Sequence, residues 1–446
     1  MIFSTIYSDN MDIQKILSSP AFSCECGKIH KAQLKEAIIE NGAIQKLPEI
    51  IKKYKGTKVF LVADENTMKA AGNSCIEILN QNNIPYKTSI LDAERAEPDE
   101  HLIGKLAFDF SPDCDIILGI GTGVINDLCK ILANITDRTF ILVATAPSMD
   151  GFASSTSSII KNGLKVSINS RCADCLFADV DILKNAPYDM IIAGFGDMLA
   201  KYISICEWRI GNIVTGEYYC EYVANMMRTA LKAIIENADG LKNRDDKAII
   251  SLMNGLILAG IAADYAGVSR PASGVEHYYS HIWDMRHLEF NTPWSLHGIQ
   301  CGVGTCLALK EYEKIKDITP NKNLALASFE KYDIAKTKKI ISEHLGKSGN
   351  EIIEKLETSD LFNREKHKEH LKNIPTHWDK ILEIINEELP CRNELILLMN
   401  KLKAPTKSSY FGIPDSENHQ TFLITKYIRD KYILSTLYKE LGLSDF

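Results

Sequence analysis

The middle of the chain concentrates side chains that can bind a metal ion. Asp197, His277 and His297 are suitable ligands for zinc, nickel or ferrous iron, and three protein ligands leave positions open for a substrate oxygen. His281 stands four residues after His277, so on a helix both project from one face, and one can bind metal while the other faces a substrate. With His287, this short stretch holds four of the 11 histidines. We therefore interpret the group as a site rather than as scattered core or surface histidines.

A glycine-rich segment separates the apolar run CDIILGIG from the helical run INDLCKILANI. Its residues are Gly119, Ile120, Gly121, Thr122 and Gly123. Glycines let the backbone approach a pyrophosphate closely, and the N–H groups at a helix start supply donors. Val124 stands where the G-x-G-x-x-G fingerprint requires glycine, so a tight strand-to-helix turn is the alternative. The position after the third strand of the alternating pattern favours phosphate binding.

Two further polar segments follow apolar, strand-like runs. Asp64 ends the run KVFLVAD, where an acidic side chain commonly accepts hydrogen bonds from ribose hydroxyls. Its distance along the chain from the glycine segment is longer than in the fingerprint, and the order is reversed, so the pattern leaves its role open. The second segment follows FILVA and contains Thr145, Ala146, Pro147, Ser148, Asp150 and Ser154. Such a turn presents side chains to a ligand, although turn formation alone also explains its composition.

The order of the predicted elements indicates how these segments are positioned. Strand-like runs alternate with helical runs up to about residue 184, which predicts a doubly wound, Rossmann-like parallel sheet with ligands at the carboxyl ends of its strands. Beyond that point, helical periodicity replaces the strand-like runs. We therefore predict an α/β nucleotide-binding domain over residues 1–184 and an all-helical metal- and substrate-binding domain over residues 185–446.

Composition narrows the classes of function. The 446 residues carry a net charge of -7, which argues against nucleic acid or an anionic membrane as a partner. No apolar run has the roughly 18 to 20 residues needed to cross a bilayer, and the start of the chain lacks the pattern of a signal peptide. The 12 cysteines are scattered, which favours reduced thiols and a cytoplasmic location.

Two short cysteine patterns stand apart from these segments. Cys24 and Cys26 with His30 resemble part of a zinc knuckle, and Cys172 with Cys175 resembles a redox pair. Neither has a second half at zinc-ribbon spacing, and neither lies visibly at a helix start after a strand. We interpret both as reduced, partly buried cysteines.

Several ordered blocks together resemble the bacterial and archaeal sn-glycerol-1-phosphate dehydrogenases. The blocks are GIGTGVINDLCK, TAPSMDGFASS, LFADVDILKNAPYDMIIAGFGDMLAKYISICEWRIGN, SGVEHYYSHIWDM, LHGIQCGVGT, KLKAPTKSSYFGIP and YIRDKYILSTL. That family shares a superfamily with glycerol dehydrogenase, iron-type alcohol dehydrogenases and 3-dehydroquinate synthase. The resemblance extends over about residues 24–440 and implies a dehydroquinate-synthase-like fold.

The resemblance also implies roles for individual residues. Asp64, the segment Gly119 to Gly123, Thr145 to Ser148 and Ser154 would bind NAD(P). Asp197, His277 and His297 match the family's ligands for one divalent metal ion, for which we expect zinc or nickel ahead of ferrous iron. Asp150, Asp197 and His281 match residues that contact substrate and act in catalysis, with His281 as a proton relay. A homo-oligomer is expected.

The implied reaction is the reversible, NAD(P)-dependent reduction of dihydroxyacetone phosphate to sn-glycerol 1-phosphate, with the metal as a Lewis acid. The groups that anchor the phosphate are not identified by the sequence; the candidates are Lys201, Arg209, Arg270 and Arg286. Ile299 stands where many relatives have Glu, which removes a carboxylate near the metal ligands. Three alternatives stay open: a glycerol or other polyol dehydrogenase, a 3-dehydroquinate-synthase-like cyclase, and a noncatalytic nucleotide or metal sensor.

Overall fold

A computed structural model describes residues 12–93, 97–161, 164–330, 332–356 and 363–444 of the chain. The chain divides into two compact units. The first comprises Met1–Met198 and Tyr222–Val268, and the second comprises Leu199–Glu221 and Ser269–Phe446. This division places residues 185–198 and 222–268 with the first unit, and the boundary at residue 184 stays a prediction.

The first unit is built on a parallel sheet of six strands. Its strands are β3 (Glu36–Glu40), β4 (Val59–Asp64), β5 (Tyr86–Leu91), β6 (Ile116–Gly121), β7 (Thr139–Ala144) and β10 (Cys175–Asp179), in the order β3-β10-β7-β6-β4-β5. Two antiparallel hairpins accompany the sheet: β1 (Phe22–Ser23) with β2 (Ile29–His30), and β8 (Thr156–Lys161) with β9 (Leu164–Asn169). The sheet confirms the predicted doubly wound architecture.

Helices cover both faces of the sheet because its strands are apolar on both sides. Val59, Leu61 and Ala63 pack with residues of α2 (Leu47–Lys53) and α4 (Asn73–Gln81) on one face. On the other face, Gly119 lies so close to α6 (Gly123–Thr136) that a Cβ there would come within 3.0 Å of the Cys129 sulfur. The helices of this unit are α1 (Ile13–Ser18), α2 (Leu47–Lys53), α3 (Glu65–Thr67), α4 (Asn73–Gln81), α5 (Glu100–Asp109), α6 (Gly123–Thr136), α7 (Val180–Leu183), the first part of α8 (Tyr188–Thr215), α9 (Glu221–Asn237), α10 (Asp239–Asn243) and α11 (Asp246–Ala266).

Helix α11 explains why residues 222–268 belong to the first unit. It packs against the turn Gly151–Ala153, and a Cβ on Gly260 would come within 2.9 Å of the Ala153 backbone. Among the described residues, α11 is the one helix long and apolar enough to cross a membrane by length and composition, but 72% of its most apolar window is buried inside the protein. It therefore has the character of a core helix.

The second unit has no strand among its described residues. Its helices are the end of α8, α12 (Val275–Phe290), α13 (His297–Lys316), α14 (Lys322–Glu330), α15 (Ile334–Leu345), α16 (Asn350–Leu356), α17 (Arg364–Thr376), α18 (Trp378–Glu388), α19 (Arg392–Lys401), α20 (Asn418–Thr425) and α21 (Leu434–Glu440). Helices α12 and α13 lie side by side, and Gly304 makes this possible because a Cβ there would come within 2.5 Å of the Glu276 carbonyl oxygen. Ile282 of α12 also packs with Ile341 and Leu345 of α15.

Candidate metal and cofactor site

Four side chains that can ligate a metal ion converge at the start of helices α12 and α13. Their ligand atoms all lie within 4.8 Å of one another, and we call them the helical cluster: Asp197, His277, His297 and Cys301. Asp197 lies on α8 (Tyr188–Thr215). The predicted ligands Asp197, His277 and His297 are thus brought together, and a cysteine joins them.

The imidazole of His277 is oriented by the preceding residue. Its Nδ1 lies 2.8 Å from the Glu276 carboxylate, which also accepts a hydrogen bond of 2.6 Å from the Gly274 amide. Because a carboxylate accepts, Nδ1 carries the proton and Nε2 carries the lone pair that binds metal. Carboxylate–histidine pairs of this kind fix ring orientation and raise the basicity of the ligand.

The imidazole of His297 is oriented in the same way by a hydroxyl. The Ser280 hydroxyl donates its proton to Gln300 Oε1 at 2.6 Å and lies 3.0 Å from His297 Nδ1. Since the hydroxyl has only one proton, it accepts from His297 Nδ1–H, and Nε2 again carries the metal-binding lone pair. Ser280 and Gln300 were not singled out from the sequence, although both lie one helical turn or less from a predicted ligand.

The donor set of the helical cluster fits a divalent metal ion. One carboxylate, two imidazoles and a thiol suit zinc and other borderline metals, and the two oriented histidines are the kind of support such sites require. Burial would raise the pKa of the Cys301 thiol, but His277 and His297 beside it lower that pKa overall. The sequence did not predict Cys301, although its place four residues after His297 on one helix was a usable signal.

The start of α12 is held in place by a buried carboxylate behind the cluster. Glu207 accepts hydrogen bonds from the Val275 amide at 3.0 Å and from the Leu434 amide at 2.8 Å. Burial and the nearby carboxylate of Glu276 raise the pKa of Glu207. Gly274 leaves room for these two carboxylates, since a Cβ there would come within 2.7 Å of both. The backbone that carries His277 is therefore anchored on two sides.

The polar turn after β7 contacts the carboxylate of Asp197, one of the predicted metal ligands. The Asp150 amide donates to Asp197 Oδ2 at 2.9 Å, and Gly194 allows the close approach because a Cβ there would overlap the Pro147 carbonyl oxygen. Buried Lys130 holds the turn from behind by donating to the Gly151 carbonyl at 2.6 Å. Asp150 is thus placed next to a predicted metal ligand, whereas no sequence pattern indicates the role of Lys130.

His281 lies one turn after His277 on α12 and is half-buried. Its ring stacks with that of His297, with the ring centres 6.3 Å apart and an angle of 29° between the planes. The His277 and His297 rings are 5.2 Å apart. The predicted relationship between a ligand and a neighbouring histidine on one helix face is therefore present.

The predicted cofactor residues lie at the carboxyl edge of the sheet in the first unit. The pairing of Val62 with Gly119 brings Asp64 level with the glycine segment at the point where the strand order reverses, between β4 and β6. Ligands of doubly wound sheets bind at this point. A Cβ on Gly123, the first residue of α6, would meet no atom within 4 Å, which leaves open space at the helix start for a phosphate.

The other predicted cofactor residues adjoin this edge but also have structural roles. Asp64 caps α3 by accepting from the Asn66 and Thr67 amides, each at 2.8 Å. The Thr145 amide donates to the Gly121 carbonyl at 3.3 Å, so the turn after β7 and the glycine segment are adjacent. The Ser154 hydroxyl lies 2.9 Å from that of Thr156.

The four basic residues that we consider as phosphate anchors from the sequence all form hydrogen bonds or ion pairs with other residues of the protein. Lys201 donates to the Ala272 carbonyl at 3.0 Å, and Arg209 pairs with Glu387 at 2.8 Å. Arg270 pairs with Glu217, and Arg286 pairs with Glu417 at 2.8 Å. Each therefore has a structural partner.

Comparisons with known proteins identify the family of the chain. A family model described as iron-containing alcohol dehydrogenase matches residues 38–187. A glycerol-1-phosphate dehydrogenase (NAD(P)+) of Halalkalibacterium halodurans is 35% identical over 66% of this chain and 74% of its own length. The chain belongs to the glycerol-1-phosphate dehydrogenase family. Relatives with the same name include one from Bacillus subtilis strain 168, 32% identical over 66% of this chain and 77% of its own length, and one from Methanosarcina mazei, 31% identical over 62% and 76%.

Solved structures share the fold of this glycerol-1-phosphate dehydrogenase family member. A probable glycerol dehydrogenase from Sinorhizobium meliloti 1021 superposes with a TM-score of 0.59 at 14% identity, over 93% of this chain and 97% of that one. Glycerol dehydrogenase from Schizosaccharomyces pombe gives a TM-score of 0.52 at 16% identity, over 84% and 93%. These likenesses confirm the predicted fold class.

Proposed function

We propose that this protein reduces dihydroxyacetone phosphate to sn-glycerol 1-phosphate in a metal-dependent reaction with NAD(P)H. The observation that carries the proposal is the helical cluster, in which Asp197, His277 and His297 meet with both histidines turned to ligate through Nε2. Relatives that carry the name of this activity, at 35% and 32% identity, support the choice of substrate.

The cluster residues would hold one divalent metal ion, for which we propose zinc or nickel. When bound, the metal acts as a Lewis acid toward a ketone oxygen and the nicotinamide carries the hydride. Cys301 lies beside these three predicted ligands, so that with Asp197, His277 and His297 as the ligands a coordination position stays open for a substrate oxygen. Glu276 and Ser280 keep the two imidazoles in the tautomer that can ligate, so that substrate exchange does not disturb the ligand set.

Asp150 and His281 would act on the substrate itself. Asp150 follows the turn after β7 and is fixed by the hydrogen bond from its amide to Asp197, which suits it to orient a hydroxyl group. His281 is half-buried and stacks with His297, a position from which it can exchange a proton with a developing alkoxide and with solvent. Asp197 would contact the substrate as well as the metal.

The edge of the sheet would bind the dinucleotide. The pyrophosphate would lie on the segment Gly119 to Gly123 at the start of α6, where backbone amides supply donors. Asp64 would accept from the ribose hydroxyls, and Thr145, Ala146, Pro147 and Ser148 would line the path toward Ser154 at the nicotinamide end. We further propose that the protein forms a homo-oligomer, which light scattering of the purified chain would test. We also propose that it is located in the cytoplasm.

The decisive experiment is to follow NADH and NADPH oxidation with dihydroxyacetone phosphate and with dihydroxyacetone, each with added zinc, nickel or iron. We expect turnover to be faster with the phosphorylated ketone, and the product to be the sn-1 stereoisomer. Equal or faster turnover of free dihydroxyacetone would contradict the proposed substrate while leaving the metal site intact.

A polyol dehydrogenase that acts on unphosphorylated glycerol is the second candidate. It is favoured by one observation: Lys201, Arg209, Arg270 and Arg286 are all engaged in structural contacts. If this candidate is correct, glycerol will be oxidised at a rate comparable to that of glycerol 1-phosphate in the reverse reaction.

A further inference from the structure

The amino-terminal hairpin brings two cysteines and a histidine together. Cys24 and Cys26 lie in the turn between β1 and β2, and His30 ends β2. The turn is closed by hydrogen bonds of 2.9 Å from the Cys24 amide to the Lys28 carbonyl and from the Gly27 amide to the Cys24 carbonyl. Gly27 adopts a φ of 85°, which only glycine takes up readily. Within this turn, the Cys26 sulfur lies 3.4 Å from His30 Nε2.

A third cysteine from a distant part of the chain completes this group. Cys220 immediately precedes α9 and is buried. The ligand atoms of all four residues lie within 4.8 Å of one another, and we call them the hairpin cluster: Cys24, Cys26, His30 and Cys220. The sequence pattern showed only the first three, so the missing half of the apparent zinc knuckle is supplied by the residue before α9.

The surrounding aromatic residues hold the histidine of the hairpin cluster in a fixed orientation. The His30 ring is fully buried and stacks on that of Tyr265, with centres 4.9 Å apart and an angle of 11° between the planes. Tyr222, two residues after Cys220, stacks on the same imidazole at 6.2 Å, and Phe22 meets it edge-on at 5.5 Å. The side chain of Lys28 also donates to the Ala266 carbonyl at the end of α11. The site is therefore built by packing on several sides.

We propose that Cys24, Cys26, His30 and Cys220 bind a structural zinc ion, separate from the metal of the helical cluster. Three thiolates and one imidazole form one of the ligand sets that zinc adopts in tetrahedral structural sites. With four protein ligands, no coordination position is left for a substrate or water, so the site has no part in catalysis. The ion would join the hairpin to the start of α9, two segments that are far apart in sequence.

The second cysteine pattern, Cys172 with Cys175, has no such group of ligands around it, in contrast to the hairpin cluster. Cys175 lies within strand β10, and burial raises the pKa of Cys172 to about 12, so neither is placed to act as a thiolate. Neither belongs to a group of three or more metal-ligating side chains among the described residues.

The proposal is tested by the metal content of the full-length protein, which does not depend on activity. We expect about two metal ions per chain in the wild-type protein, of which Cys26→Ser removes one and His297→Ala removes the other. Cys391→Ser is the matched control because Cys391 is exposed and far from both clusters in sequence, and it should retain both ions. Cys26→Ser should also keep turnover, whereas His297→Ala should not.

A second measurement covers the case in which Cys26→Ser does not fold. His297→Ala protein prepared with cobalt, in which the helical cluster with its Cys301 no longer binds metal, should show the intense absorption of tetrahedral cobalt bound by thiolates. Adding Cys26→His, which preserves a ligand, should retain the ion with an altered spectrum. Wild-type protein with a single metal ion that His297→Ala removes completely would overturn the proposal. So would a disulfide between two of the three cysteines in protein purified under reducing conditions.

Discussion

The two clusters of metal-ligating side chains differ in their ligands and in what supports them. The hairpin cluster has three thiols and one imidazole, whereas the helical cluster has one thiol, two imidazoles and a carboxylate. The one histidine of the hairpin cluster, His30, is held by stacked aromatic rings. In the helical cluster, His277 and His297 are held by hydrogen bonds to Glu276 and Ser280. The same kind of metal ion could occupy both clusters, but only the helical cluster is arranged for catalysis.

This difference shows that the type of ligand, and the groups that hold each ligand in place, distinguish a structural metal site from a catalytic one. Thiolates bind zinc tightly and fill its coordination sphere, which serves to join two chain segments. A mixed oxygen and nitrogen set with hydrogen-bonded histidines leaves the metal electrophilic and its ligands fixed while a substrate oxygen enters and leaves. The neighbours agree with this division, because Asp150 and His281 adjoin the helical cluster, while rings of Phe22, Tyr222 and Tyr265 surround His30.

Removing a ligand from the helical cluster should have the largest effect. We expect His297→Ala to lose both the metal of that cluster and all measurable reduction of dihydroxyacetone phosphate, because Asp197 and His277 cannot hold the ion and its geometry alone. Metal analysis and the NAD(P)H oxidation assay check this. His419→Ala, which alters an exposed histidine, is the control. Full activity in a metal-free His297→Ala protein would show that the helical cluster is not the catalytic centre.

Changing the partner of a ligand should have a smaller effect, confined to one cluster. We expect Glu276→Gln to weaken metal binding at the helical cluster by about 10- to 100-fold, because the carboxylate that orients His277 loses its charge. Turnover should return toward the wild-type value when metal is added in excess, as a positioning role requires. Titration of the metal-free protein with zinc, followed by activity, measures this.

The matched control for that variant is Glu313→Gln, on the exposed side of α13. An affinity unchanged by Glu276→Gln would mean that the hydrogen bond to His277 has no part in metal binding. Loss of metal from the hairpin cluster in the same variant would contradict the separation of the two sites.

The features that could be predicted from the sequence are those that depend on residues close together in the chain. The continuous apolar runs of β4, β6 and β7 identify buried parallel strands without reference to distant residues. Asp197, His277 and His297 have chemically suitable side chains, but only the resemblance to a family assigned them as ligands. The fold brings their ligand atoms within 4.8 Å of one another, and their role as metal ligands stays a prediction.

Features that depend on long-range packing could not be predicted in this way. Cys220 joins Cys24 and Cys26 across most of the first half of the chain, and no periodicity links such positions. The return of residues 222–268 to the first unit includes the close fit of Gly260 against Ala153, which composition does not reveal. Cys301 is different, since its spacing from His297 was visible and its chemistry was suitable.

The smallest predicted effect concerns the packing that supports the helical cluster rather than its ligands. His344 of α15 is buried beside Arg286 of α12, the helix that carries His277. Burial, and then the charge of Arg286, lower the pKa of His344 to about 4. Because the folded protein keeps this imidazole neutral while the unfolded chain protonates it near pH 6.5, folding loses stability as the pH falls from 6.5 toward 4.

We expect this loss to be about 1 kcal/mol between about pH 6.5 and about pH 5.5, and His344→Gln to remove it. Glutamine can still bond to the Thr421 hydroxyl, which lies 3.2 Å from His344 Nε2, but cannot be protonated in this range. Urea denaturation at each pH measures the difference, with His419→Gln as the exposed control. If His344→Gln and the wild type lose stability equally, protonation of His344 does not contribute to the acid sensitivity. A smaller loss in the variant would show that part of the acid sensitivity comes from the contact between α15 and α12.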